Sequence, residues 1–139
     1  NKWKDNSVLR SSGLHADYEK KFTVNLLNSR VANNGFVLLA RHDVSGQWIS
    51  VTCPRPMIFV KLVFNTSNNN NRGSYRVEYW IEDSKRWEAG SAVVATGGRT
   101  EYEVLLSPKT ASSSWRIYQT THNGYYPSFS HLHWYSVFE

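Results

Sequence analysis

One device recurs along most of this chain: short segments in which apolar and polar residues alternate, each closed by a connector rich in Gly, Asn or Ser. Successive side chains of a strand point to opposite faces, so alternation marks a strand with one face buried. Tyr75, Val77, Tyr79 and Ile81 fall on one face, with Arg76, Glu78, Trp80 and Glu82 on the other. Ile58, Val60, Leu62 and Phe64 form a similar inward set opposite Phe59, Lys61 and Val63, with Pro54 and Pro56 marking where that strand cannot begin earlier. Further strands are expected over 22–31, 35–41, 47–52, 92–95, 100–106, 114–119 and 132–138. The connectors are "ANNG", "DVSG", "NTSNNNNRG", "EDSKR", "TGGR", "SPKTASS" and "THNGYYPS". The only helical signal is a turn near residues 13–20. Short strands at this spacing predict an all-β fold, an antiparallel β-sandwich of jelly-roll type.

Length and composition agree. A chain of 139 residues suits one domain, with residues 1–12 read as an N-terminal arm or linker. Six Trp and eight Tyr favour pleated surfaces over a bundle of Leu-rich helices. No apolar run is long enough to span a bilayer, and the start at Asn1 without a signal-peptide pattern suggests a processed protein or a piece of a longer one. Cys53 is the only cysteine and reads as a small core residue. The net charge of +5 comes from scattered Lys and Arg with no run of five, a solvated surface rather than a nucleic-acid footprint.

The order of features from Ala32 resembles the discoidin, or coagulation factor 5/8 C-type, domain, a galactose-binding-like β-sandwich that also occurs as a family of bacterial carbohydrate-binding modules. "SGQWISV" is similar to that family's Gln-Trp-hydrophobic-x-Val strand, and "SYRVEYWIEDSKRW" to its Tyr-x-Val-x-Tyr hairpin closing on Trp. "SWRIYQT" resembles its penultimate strand with a buried Arg, and "SFSHLHWYSV" its final strand. The resemblance covers most of 32–138. It implies a sugar-binding sandwich, in some members with a structural calcium. Here Asn34 stands in place of an Asp and His131 and His133 lie near the position of a missing acid, so carboxylates are scarce and a structural calcium is disfavoured.

Catalytic signals are weak. His131 and His133 share one strand face, but no third zinc ligand is identifiable, and a pair of sheet-surface histidines is the ordinary reading. Glu78, Glu82, Asp83, Glu101 and Glu103 lie largely beside Arg or Lys, where cross-strand pairing is the ordinary role. The serines lack the framing of a nucleophile turn, and "TGGR" lacks the spacing of a phosphate loop. The chain is therefore expected not to be an enzyme and to need no cofactor.

Loops remain. Sugar recognition asks for planar donors and acceptors together with an aromatic face, and three connectors hold both or part of that set. They offer Arg41, His42 and Asp43; Asn71 and Arg72, at the end of the Asn run; and His122, Asn123, Tyr125 and Tyr126. The family resemblance implies a His or Arg in the first, an Arg before the Tyr-x-Val strand, and an Asn with an aromatic in the last. The expected partner is thus a glycan, met outside cells, at a cell surface or on a virion, as one part of a larger or oligomeric assembly. The alternatives are the receptor-binding tip of a phage tail or viral fibre, a protein-binding sandwich using Trp80 and Trp87, and an anionic-membrane binder using Trp3 and "FVLLA". Nucleic acid is not expected.

Overall fold

The computed structural model describes residues 3–28, 37–66, 73–97 and 101–137. Eleven strands are present among them: β1 (Leu9–Ser11), β2 (Val37–Leu38), β3 (Trp48–Met57), β4 (Phe59–Asn65), β5 (Ser74–Ile81), β6 (Arg86–Ala89), β7 (Val94–Ala95), β8 (Glu101–Leu105), β9 (Ser112–Thr121), β10 (Ser128–Phe129) and β11 (His131–Ser136). The larger sheet runs β1-β3-β9-β5-β6, with β7 also on β5, and the smaller runs β11-β4-β8. A two-stranded ladder of β2 and β10 adds a third piece. Every pairing is antiparallel.

The two sheets face each other across an aromatic core. Ile49, Val51, Tyr75, Val77, Trp115 and Ile117 of the larger sheet and Leu62, Phe64, Tyr102, Leu132 and Trp134 of the smaller are all buried. Phe59 meets Trp115 edge-on at 5.5 Å and tilts against Trp134 at 5.4 Å. Farther along the layer, Phe64 stacks on Tyr102 at 5.4 Å and meets Tyr75 edge-on at 6.1 Å. Such tilted and edge contacts let large rings fill the gap between two pleated surfaces. The buried indole N–H of Trp115 donates to the Ser112 carbonyl at 3.1 Å.

Three expectations are corrected. Phe59, expected on the outer face of β4, points inward, while Ile58 and Val60 are half-exposed. The cause is a bulge: the ladder to β11 shifts between Tyr135 and Ser136, which reverses the side-chain alternation at one end of β4. The strand expected over 47–52 runs on to Met57, so Pro54 and Pro56, after which β4 begins as expected, lie inside β3, where its ladder to β9 is interrupted between Thr52 and Met57 and residues without an N–H donor are tolerated. Finally, the described part of 22–31 is no strand. Asn25–Asn28 forms a single helical turn, α1, that buries Leu26 and Leu27.

The expected turn near 13–20 is a 3-10 helix over Ala16–Lys21, opened by His15, whose Nδ1 accepts from the Asp17 N–H. The stretch read as an N-terminal arm is tied down along residues 3–11. Leu9 is buried in β1 on the edge of the larger sheet, and Trp3 exchanges two 2.8 Å hydrogen bonds with the Asn28 side chain. Cys53 is buried and free, and loss of solvent pushes its thiol up to about 11.

Candidate functional site

The antiparallel ladders send the start of β3, the end of β9 and the start of β5 to one pole of the sandwich. Short-range hydrogen bonds then fix the connectors there. Gln47, buried beneath the first loop, accepts the Arg41 N–H at 3.0 Å and donates to the Arg41 carbonyl at 2.8 Å. Its amide also donates to Gln119 at 3.3 Å, so the loop 41–46 is clamped to the end of β9. Gly46, at φ +88, makes the turn into β3 in a conformation that side chains rarely adopt, and its N–H donates to the Gln119 carbonyl.

The last connector arrives by another route. Pairing of β10 with β2 and a bond from the Leu39 N–H to the Pro127 carbonyl bring 122–127 beside 41–43. The His122 N–H donates to Ser45 Oγ at 3.1 Å, across 77 positions of sequence, and His122 Nδ1 accepts the Gly124 N–H at 3.2 Å. Between the loops the Tyr126 ring meets His42 edge-on at 5.1 Å. His122, Asn123 and Tyr125 are exposed, and Tyr126 is half-buried.

Two residues not singled out from the sequence join this cluster. His15 meets Tyr126 at 5.2 Å and Tyr18 at 5.7 Å, both edge-on. They reach it because the His15 N–H donates to the Leu38 carbonyl and Ala40 donates to Gly13. No local motif carries that contact; it depends on where β2 lies. Arg41 is turned toward Asp43, with Nε to Oδ1 at 3.0 Å. The guanidinium holds the Asp43 carboxyl below the usual carboxylate range through that hydrogen bond.

Asn71 and Arg72 lie outside the described residues. Gly73, which follows them, is seated on the same pole: a Cβ there would stand 2.7 Å from the Thr121 carbonyl oxygen, so only glycine fits without displacing the backbone.

The nominated carboxylates are engaged elsewhere. Glu78, expected on a solvent face, is 3% exposed, because Arg116 and Arg76 each reach it at 2.7 Å from either side. Arg116 in turn lies under Trp87 at 4.2 Å and Tyr118 at 4.8 Å. Glu82 pairs with Lys85 and accepts the Trp80 indole N–H, and Glu103 faces Lys61 at 3.8 Å. Trp80 and Trp87, proposed as a protein-contact patch, meet each other edge-on at 5.4 Å and are half-buried. Within the "FVLLA" run, Val37 and Leu39 are fully buried.

His131 and His133 do share the outer face of β11, yet both are buried. Desolvation lowers the His131 pKa, outweighing the attraction of Glu101 at 3.9 Å. Among the described residues no group of three or more His, Cys, Asp or Glu is placed to hold a metal ion. No described helix is long and apolar enough to cross a membrane.

Two facing antiparallel sheets with loops gathered at one pole define a galactose-binding-like β-sandwich of the discoidin type, and solved structures of that type superpose on this chain. An F5/8 type C domain from Bacteroides fragilis matches with TM-score 0.66 and 17% identity over 96% of this chain and 94% of its own. Chitosan-binding module 2 of a Paenibacillus sp. IK-5 chitosanase/glucanase, solved with chitotriose, matches with TM-score 0.70 and 15% identity, covering 91% of this chain and 94% of the module. A GH29 fucosidase from Ruminococcus gnavus, solved with fucose, matches with TM-score 0.70 and 16% identity over 91% of this chain, which spans only 24% of the fucosidase. No protein-family model matches the chain, and no curated protein sequence does.

Proposed function

We propose that this chain is a non-catalytic carbohydrate-recognition module that takes a glycan at the pole formed by 41–46 and 122–127. The observation that carries the reading is the edge-on contact of His42 with Tyr126, two residues 84 positions apart that the fold sets side by side between exposed polar groups. An aromatic ring supplies the face for the C–H side of a sugar, while His42, His122 and Asn123 supply planar donors and acceptors for its hydroxyls. The fold neighbours support this class of ligand, since the Paenibacillus module was solved with chitotriose. Arg72 and Asn71 are proposed as the third side of the groove, and Arg41 as a donor available when a ligand displaces Asp43. Such a polar, shallow site binds one sugar weakly, roughly millimolar to micromolar, so presentation outside cells in several copies suits it.

The test is a glycan array probed with the wild type, His42→Ala, Tyr126→Ala and Arg72→Ala. A wild-type signal that falls at least about tenfold in the Tyr126 variant is the expected result. Equal signals from all four proteins would overturn the site, and no signal from any, on a broad array, would overturn the ligand class.

A further inference from the structure

At the pole opposite the loops lies an open cleft of about 400 Å³, of a size that suits a small molecule. Its walls include Trp3, Val8, Cys53, Met57, Phe59 and Trp134, an apolar set from the N-terminal segment, β3, β4 and β11. The wall is built rather than incidental: the reciprocal bonds between the Trp3 backbone and the Asn28 side chain anchor this residue, and its indole packs 6.4 Å from the Phe59 ring.

Three charged residues also line the cleft, Lys4, Asp5 and Arg55. Asp5 is engaged, its Oδ1 accepting the Ser7 N–H at 2.9 Å. Lys4 and Arg55 are exposed and make no ion pair among the described residues. Two cations and one carboxylate leave one unit of positive charge over an apolar floor. A neutral sugar would leave the net positive charge unanswered and the apolar walls poorly covered. An apolar body with a single anionic head matches both the walls and the net charge.

We propose that this cleft is a second binding site, separate from the loop pole, for a small amphiphilic monocarboxylate, with its apolar body against Trp3, Met57 and Trp134 and its carboxylate at Lys4 and Arg55. The ligand is a free small molecule whose chain the cleft encloses.

Isothermal titration calorimetry of the whole chain with octanoate, and with octylammonium as the same chain of opposite charge, tests the site. Saturable binding of octanoate and none of octylammonium are expected. The Lys4→Ala/Arg55→Ala double variant, altered only at exposed positions, should fold normally and bind octanoate about fivefold more weakly or worse, the scale of exposed ion pairs. Absence of saturable octanoate binding would overturn the proposal, as would equal binding of octylammonium or an unchanged affinity in the double variant. Glycan binding at the loop pole plays no part in any of these readings.

Discussion

Arginine meets a carboxylate in two quite different ways in this molecule. On the larger sheet, Arg76 and Arg116 hold Glu78 from both sides at 2.7 Å, and the carboxylate is 3% exposed. At the loop pole, Arg41 meets Asp43 at 3.0 Å with both side chains more than half exposed. The distances are similar and the energetics are not. A buried carboxylate has lost its hydration and depends on its partners, so removing one side strands the other. An exposed pair competes with water and salt at little gain. The sheet therefore commits its ionic contacts to a fixed arrangement, whereas the loop keeps an arginine that a ligand can recruit.

The largest effect expected from breaking that contrast is at Glu78. Glu78→Ala leaves Arg76 and Arg116 facing each other beside Tyr118 with no carboxylate between them, and should lower stability by about 3 kcal/mol, read by denaturant unfolding. Glycan binding by the fraction still folded should be retained. Next comes Gln47→Ala, which removes the amide clamp beneath the loop and should cost about 2 kcal/mol while also weakening glycan binding. A result in which Gln47→Ala loses stability alone would separate the clamp from the loop's function.

Acid supplies a smaller test on the second sheet. His131 is fully buried with its pKa lowered by desolvation, with Glu101 and His133 as the charged or titratable neighbours acting on it. A lowered folded-state value means that the unfolded chain takes up the proton first, so stability is intact above pH of about 6.5 and declines as pH falls below it. His131→Gln should flatten that slope in a pH series of thermal unfolding. Smallest of all is Asp43→Asn. It should leave the midpoint of unfolding unchanged and, by releasing Arg41, alter glycan affinity; a clear loss of stability would show that the loop pair is structural after all.

Much of the scaffold was legible because alternation is a direct image of a two-faced surface. The strand through Tyr75 and Val77 appears where the pattern put it, while the arginine of "SWRIYQT", expected buried from the family resemblance, is half-buried against Glu78. Failures have local causes. The pair Ile58–Phe59 reads equally well in either register until a bulge at Val60 chooses, and that bulge is set by pairing with a strand some 75 residues away. "VNLLN" is short and apolar, a pattern a single helical turn satisfies as well as a strand does. Glu78 looked solvated because Arg116, 38 residues on, is brought to it only by the β5–β9 ladder, where it meets Arg76 of the same strand across the carboxylate. At the loop pole, the residue types of 41–43 and 122–126 were readable, as polar and aromatic groups gathered on connectors. His15 was not, since its place beside Tyr126 is set by pairing that no short stretch announces.

The single hydrogen bond from His122 to Ser45 has a consequence for how tightly anything can be held at that pole. It joins the two connectors near their bases, above the bonds from Gly46 and Gln47 to Gln119. A visitor arriving between them finds the walls already aligned, and the disorder it must suppress on docking is confined to the tips. Severing the link with Ser45→Ala would loosen the two walls relative to each other, and the signature would be an added entropic penalty with little change in the heat released.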